Sequence, residues 1–430
     1  MLSAPVWYTL LLQRYVSGQA RLGWAERWGR LPGSFAATPN MRPRIWIHAV
    51  SAGEVVAAVP IVRELRSLLP DFEMIFSVTT PAGMEMAQQQ AQPYVDQLFF
   101  FPLDLPWIAK QVVRKIRPRV FVSLESEMWP NVLHELKRSG AKTIMVNGRI
   151  TERSYRRARG VGAGLFRWML SHMDRMLVQS EPDAARIRAL GGPETAKRLV
   201  VIGNSKFDQE IAHLTSAEVR QLRASLKFPA DAPIFVAGST RSRQEEAEIL
   251  RAYLLMRAKV SSLCLLIAPR QTDRAGELAD AMRKLGLDPV QKTALDTAET
   301  VQHLILDTMG ELANFYAVAA FAFVGNSFGP VVKGGGQNLL QPLAHGKPVF
   351  FGPKTATIRS EVALSTEAGV GFQVENAEQL AEKGLRLLAN EREREGVGRR
   401  ARDLVLSQRG VSRRYAQAVA ELAQSGEKEP

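Results

Sequence analysis

From Arg44 onward, short apolar runs alternate with longer amphipathic stretches. The runs Arg44–Val50, Glu73–Thr80, Asp96–Phe101, Val120–Leu124, Lys142–Val146, Arg175–Val178 and Leu199–Ile202 are too short for stable helices and rich in branched and aromatic residues. They predict strands buried on both faces. Strands that alternate with helical stretches imply βαβ units, a parallel sheet, and functional groups gathered at the strands' carboxyl ends. The helix predicted after the first run spans about Val55 to Leu69.

The alternation pauses after Gly203, and residues 205–233 read as a charged helical connection. A second series then follows at Ile234–Ala237, Leu263–Ala268, His303–Leu306, Phe321–Val324 and Pro348–Phe351. The expectation is an α/β chain with two Rossmann-like halves facing across a cleft. Residues 41–205 form the first half, 206–232 a linker, and 233–430 the second half with a charged helical tail from Ala377. Between the last two runs lies Lys333-Gly334-Gly335-Gly336-Gln337-Asn338, leading into a helix predicted from Asn338 to about His345. Consecutive glycines let the backbone approach a ligand closely, and a helix start capped by Asn338 offers free N–H groups to an anion.

Composition adds to this picture. A chain of 430 residues with 46% hydrophobic and 23% charged residues is a folded protein of two domains. The single cysteine, Cys264, lies inside an apolar run, so it reads as a packed core residue in a reducing, cytosolic environment. The net charge is +13, and residues 1–175 carry 23 Lys and Arg against 13 Asp and Glu. Such an excess attracts nucleic acid, anionic lipid or a phosphorylated substrate. No helix-turn-helix, RNP or zinc spacing accompanies it, which argues against nucleic acid. No run of 18 apolar residues is present to span a bilayer. Residues 1–40 form a basic, partly apolar segment: Leu2–Leu12 contains Trp7 and Tyr8, and Arg14, Arg21, Arg27 and Arg30 follow with Trp24 and Trp28. That pattern predicts a helix lying in a membrane interface.

Candidate chemistry falls where strands end. Ser51-Ala52-Gly53-Glu54 puts a carboxylate after a turn, making Glu54 a candidate general base, with His48 a structural neighbour. Glu125 and Glu127, with Trp129 and Pro130 beside them, are spaced to bind a metal, to bind hydroxyls, or to raise one another's pKa. Asn147-Gly148-Arg149 and the arginines 153, 156, 157 and 159 suit phosphate recognition, and Lys206 adds a cation. In the second half, Ser239-Thr240-Arg241, Glu245 and Glu246, Pro269-Arg270, residues 307–312 and the glycine loop describe a nucleotide or sugar-phosphate site. No Asp-x-Asp, Walker A or His/Cys cluster with ligand spacing is present.

In combination these motifs resemble one family over nearly the whole chain, the 3-deoxy-D-manno-octulosonic acid (Kdo) transferases of lipopolysaccharide biosynthesis. The matching stretches are Ser-x-Gly-Glu at 51–54, Glu-Ser-Glu-Met-Trp-Pro-Asn at 125–131, Asn-Gly-Arg at 147–149 and Gly-Asn-Ser-Lys-Phe-Asp at 203–208. Ala-Gly-Ser-Thr at 237–240, Ala-Pro-Arg at 268–270, Asp-Thr-Met-Gly-Glu-Leu at 307–312 and the glycine loop continue the series. The resemblance implies a GT-B glycosyltransferase that moves Kdo from CMP-Kdo to a phosphorylated lipid A precursor (lipid IVA) with inversion, without a metal. By the same resemblance, it works at the cytoplasmic face of the bacterial inner membrane as a peripheral or monotopic protein, and neither nucleic acid nor a protein partner is implied.

Carried over by resemblance, Glu54 is the base, and Glu125, Glu127 and Lys206 support the transition state. The CMP-sugar would meet Ser239, Thr240, Pro269, Arg270, Gly310, Glu311, Leu312, Gly336, Asn338, Leu339, Leu340 and Gln341. The acceptor would meet Ser51, Gly53, Asn147, Arg149, Arg156 and Arg157. Gln271, Gln337 and Gln341 stand where the family usually has His, His and Glu, and Arg241-Ser242-Arg243-Gln244 replaces a segment with His and Gly. At 341 the exchange trades a carboxylate able to accept two ribose hydrogen bonds for an amide with one acceptor and a donor. A relative that has lost donor use, or a sugar-nucleotide epimerase on the same fold, are the competing readings.

Overall fold

The computed structural model describes residues 22–31, 35, 42–160, 162–212, 214–332 and 334–425. The interfacial helix expected around Leu2–Leu12, and Lys333 of the glycine loop, lie outside the described residues. Two compact units form: the described residues up to 209 together with those from 408 onward, and residues 210–407.

The first unit is built on β1 (Arg44–Ala49), β2 (Glu73–Val78), β3 (Gln97–Phe100), β4 (Val120–Leu124), β5 (Lys142–Gly148), β6 (Arg175–Val178) and β7 (Leu199–Val201). These strands pair in parallel in the order β3-β2-β1-β4-β5-β6-β7. Every residue of β1, β2 and β4 is buried, as their near-continuous apolar runs require of a sheet covered on both faces. One face packs on the helix Ala52–Leu68. The other packs on the helices Pro106–Ile116 and Pro130–Arg138 around Trp46, whose indole N–H donates to Ser77 Oγ at 2.8 Å.

The second unit repeats the plan with β8 (Ile234–Thr240), β9 (Cys264–Pro269), β10 (Pro289–Gln291), β11 (His303–Ile305), β12 (Phe321–Val324), β13 (Val349–Phe351) and β14 (Gly371–Gln373). All are parallel, in the order β10-β11-β9-β8-β12-β13-β14. Two further strands, β10 and β14, are edge strands with one buried residue of three, so they leave no apolar run. Cys264 is fully buried, and burial pushes its thiol up to about 11, so it is an inert core residue.

The chain's end departs from expectation. The charged tail expected in the second half ends in a helix, Val411–Gln424, that belongs to the first unit. Val411, Tyr415, Val419 and Ala423 recur every fourth residue and enter the core beside the helix Ala52–Leu68. Asp208 caps this helix, accepting from Gly410 N at 2.7 Å and Ser412 N at 2.5 Å, while the Tyr415 hydroxyl donates to Gly203 O at 2.6 Å. Residues 203 and 208 are the two ends of the stretch that carries Lys206, so the last helix holds that stretch in place. Asp208→Ala should therefore lower stability by about 1–2 kcal/mol in urea denaturation. An unchanged midpoint would show that the cap contributes nothing.

The start of the described chain also differs from a lipid-facing reading. Arg27, expected among headgroup-binding arginines, is buried; its guanidinium donates to Thr79 O at 2.6 Å and lies 4.6 Å from the centre of the Phe100 ring. Trp24 and Trp28 pack edge to face at 5.7 Å in the same turn. Among the described residues, no helix is long and apolar enough to cross a membrane.

Candidate active site

In the first unit the chain runs from β1 outward to β2, and from β4 outward to β5 in the opposite direction, so a crevice opens at their carboxyl ends. Glu54 and the pair Glu125 and Glu127 arise there. Glu54 lies in the first turn of the helix Ala52–Leu68, where Oε2 accepts from Val50 N at 2.8 Å and Oε1 from Ser51 Oγ at 3.0 Å. Both bonds favour the anion, yet burial, then the charges of Glu125 and Glu127, push Glu54 up to about 8. Burial and Glu125 push Glu127 up to about 7. Motifs 70 residues apart in the sequence thus form one electrostatically coupled carboxylate cluster. Of the readings open for the Glu125/Glu127 pair, the charge of Glu125 acting on the buried Glu127 is the one this geometry displays. Among the described residues, no group of three His, Cys, Asp or Glu is arranged to hold a metal.

The main chain around the cluster is strained. Glu125 has φ 55°, and Asn147 at the end of β5 has φ 52°, values that cost a non-glycine residue energy and that collect at functional sites. Asp104 fixes the loop, accepting from Asn131 N at 3.1 Å and Val132 N at 2.9 Å at the start of the helix Pro130–Arg138. His48 is fully buried, its ring stacked 3.8 Å from that of Phe101, and burial holds it neutral, its pKa pushed down to about 3. It packs, as expected, and does not titrate with the carboxylates.

Lys206 sits on the turn Ser205–Asp208, tied to both neighbouring motifs. Ser205 N donates to Asn147 Oδ1 at 3.0 Å, and Ser205 Oγ donates at 2.8 Å to Ala57 O, in the helix that carries Glu54. This corrects the part expected of Asn147: it is fully buried, and it clamps the lysine turn instead of facing an acceptor. Ser51 is committed to Glu54, and a side chain at Gly53 would meet open space, so the glycine leaves an approach clear without being sterically required. Arg149 is half-buried beside the crevice. Arg156 and Arg157 are exposed on the helix Glu152–Arg159, Arg156 paired with Glu152 at 3.0 Å.

In the second unit the corresponding crevice opens between β8 and β12. One acidic residue in the helix after β8 organises it. Glu245 is fully buried and accepts four main-chain N–H groups: Arg241 at 2.9 Å, Asn326 at 2.9 Å, Ser327 at 2.8 Å and Phe328 at 3.1 Å. One carboxylate therefore pins the end of β8 to the loop after β12. The two strand ends approach so closely that a Cβ at Gly325 would lie 2.6 Å from Ser239 O. Gly336, at φ 89°, turns the loop back and donates its N–H to Asn326 O at 2.6 Å. Ser239 and Asn326 carry φ 59° and 58°, again at strand ends.

The remaining candidates divide by what they expose. Thr240 is buried and donates its hydroxyl to Glu246 at 2.8 Å, so it is committed to the scaffold. Leu339 and Leu340 are buried, so they can offer a ligand only main-chain groups. The helix there is shorter than expected, Leu340–Ala344, and Asn338 Oδ1 accepts from Leu340 N at 2.9 Å. Leu312 is half-buried against Gly238, and Glu311 accepts from the Thr308 hydroxyl beside the exposed Gly310. Pro269 is buried at the end of β9, Arg270 is exposed immediately after it, and Gln341 is half-buried.

Residues 22–209 match the family model described as 3-deoxy-D-manno-octulosonic-acid transferase (kdotransferase). The chain is 30% identical over 394 residues to 3-deoxy-D-manno-octulosonic acid transferase of Haemophilus influenzae, covering 91% of this chain and 89% of that one. It is 30% identical over 415 residues to the enzyme of the same name from Bordetella pertussis, covering 94% and 93%. Among solved structures, UDP-GlcNAc 2-epimerase from Neisseria meningitidis superposes with a TM-score of 0.60 at 11% identity, covering 89% of this chain and all 100% of that one. A glycosyltransferase from Rickettsia africae gives 0.58 at 14% identity, covering 89% and 99%. The structural likenesses show the two-unit α/β fold. The sequence relatives show more: the chain belongs to the 3-deoxy-D-manno-octulosonic acid (Kdo) transferase family and is a glycosyltransferase.

Proposed function

We propose that the enzyme transfers Kdo from CMP-Kdo to a hydroxyl of a phosphorylated lipid A precursor, with inversion at the anomeric carbon. The observation that carries this reading is the carboxylate cluster, in which Glu54 is held by Val50 and Ser51 with its pKa raised to about 8. A base poised near the working pH suits removal of a hydroxyl proton as that oxygen attacks. The new carbon–oxygen bond forms on one face of the sugar while the bond to the phosphate breaks on the other. The proton goes to Glu54, and the bonding pair leaves with CMP. Glu125 and Glu127 stabilise the positive character of the sugar, and Lys206 and Arg270 the charge of the departing phosphate. In this reading the first unit serves the acceptor, with Arg149, Arg156 and Arg157 toward its phosphates, and the second serves the donor. No metal is assigned a part. The basic first unit and the apolar segment before it favour work at an anionic membrane surface, the cytoplasmic face of the inner membrane.

The test is CMP release from CMP-Kdo by the purified full chain, with and without lipid IVA. Release that depends on the lipid supports the proposal, and no release under either condition would remove it. Gln341 gives a finer test of the donor contact. Gln341→Glu should tighten CMP about tenfold in calorimetry, because a carboxylate accepts both ribose hydroxyls. An unchanged or weaker affinity would place the ribose elsewhere.

A further inference from the structure

Four arginines stand at the carboxyl ends of β8 and β9: Arg241, Arg243, Arg270 and Arg274. Two of them are neutralised. Arg274 makes a bidentate pair with Glu246 at 3.0 and 2.7 Å, and Arg243 pairs with Glu277. Arg241 and Arg270 have no ion pair among the described residues. These two are also neighbours across the sheet. The register sets Thr240 opposite Pro269, each arginine directly follows one member of that pair, and Arg270 N donates to Thr240 O at 2.8 Å. Arg241 is half-buried, and its Nε is enclosed without a hydrogen-bond partner. Glu245, whose charge acts on Arg241, uses both oxygens to accept main-chain N–H groups and makes no ion pair with it.

Two adjacent guanidiniums without a direct ion pair, one with an enclosed N–H, cost energy that the charge of Glu245 offsets only in part and that a bound anion would relieve. Arg270's charge, after burial, lowers the Arg241 pKa, consistent with that proximity. An arginine fork matches the oxygens of a phosphate, and two forks hold a phosphate that carries more than one negative charge. We propose that Arg241 is a second phosphate-binding residue, which with Arg270 clamps the phosphate of the nucleotide. The proposal rests on the CMP-sugar reading above and adds to it. In this chain, where position 341 is an amide, the phosphate clamp carries a larger share of nucleotide affinity than the ribose contact.

Calorimetry on the full chain with CMP, cytidine and inorganic phosphate tests this, using Arg241→Gln and Arg241→Lys with their thermal midpoints measured in parallel. Arg241→Gln should weaken CMP about ten- to a hundredfold and leave cytidine unchanged, because only the phosphate loses a charged partner. Arg241→Lys should recover part of the loss, since it restores the charge and not the fork. Phosphate alone should compete with CMP in the unchanged protein and compete more weakly in Arg241→Gln. Unchanged CMP affinity in Arg241→Gln overturns the inference, as does an equal loss for CMP and cytidine. Unchanged protein that binds no CMP would remove the donor reading itself, and the clamp with it.

Discussion

Replacing Glu54 with glutamine is expected to lower the transfer rate about a hundred- to ten-thousandfold while leaving CMP affinity within about twofold. Glutamine fits the site: its oxygen can still accept from Val50 N and its amide can donate to Ser51, so the helix start keeps its bonds. What it cannot do is take the acceptor's proton. The pH dependence separates this from a packing effect. In the unchanged enzyme the ionised base accumulates as pH rises through about 8, so the rate should climb toward that value and level above it. Stability follows the opposite course. Glu54 titrates higher folded than unfolded, so its contribution is fully present below the unfolded carboxylate pKa near 4.5 and is lost as pH rises through about 8. Glu54→Gln should remove that part of the alkaline decline, making the variant relatively more stable at pH 9 than at pH 5. Retained turnover would take the role of base away from Glu54.

Glu245→Ala should cost the second unit at least about 4 kcal/mol and abolish CMP binding. The alanine leaves the N–H groups of Arg241, Asn326, Ser327 and Phe328 without their acceptor in a buried place, at about 1–3 kcal/mol each before any water enters. It also releases the loop after β12 from the end of β8, and with it the groups proposed to hold the nucleotide. Glu245→Gln should be milder, because its single oxygen serves only part of the set. Thermal denaturation and calorimetry on both variants check this. Wild-type stability in Glu245→Ala would mean that the loop is held by something other than this carboxylate.

These two residues mark where the sequence was informative and where it was not. The parallel sheets were legible because buried strands leave apolar runs; the edge strands β10 and β14, with one buried residue each, left none. Glu54, Glu125 and Glu127 stand out as candidates in sequence because each follows the carboxyl end of a strand, where a cleft is expected. Their coupling was not legible, because it depends on β1 and β4 being neighbours in the sheet. Glu245 and Asp104 were missed as organisers for the same reason. Each looks like an ordinary helix-start or loop acid in sequence, and its partners come from distant strands. Asn147 misled because a polar residue at a strand end signals a ligand contact and an internal clamp equally well. The last helix shows its 411, 415, 419 and 423 stripe in the sequence, but nothing local says which unit that stripe covers.

The most direct measurement is mass spectrometry of the lipid after incubation of the full chain with CMP-Kdo and lipid IVA, beside the same reaction with Glu54→Gln. The account predicts lipid heavier by one or more whole Kdo residues with the unchanged enzyme, and unmodified lipid with the variant. Unmodified lipid from both, with CMP bound normally, would contradict transfer to this acceptor; equal product from both would contradict the carboxylate mechanism.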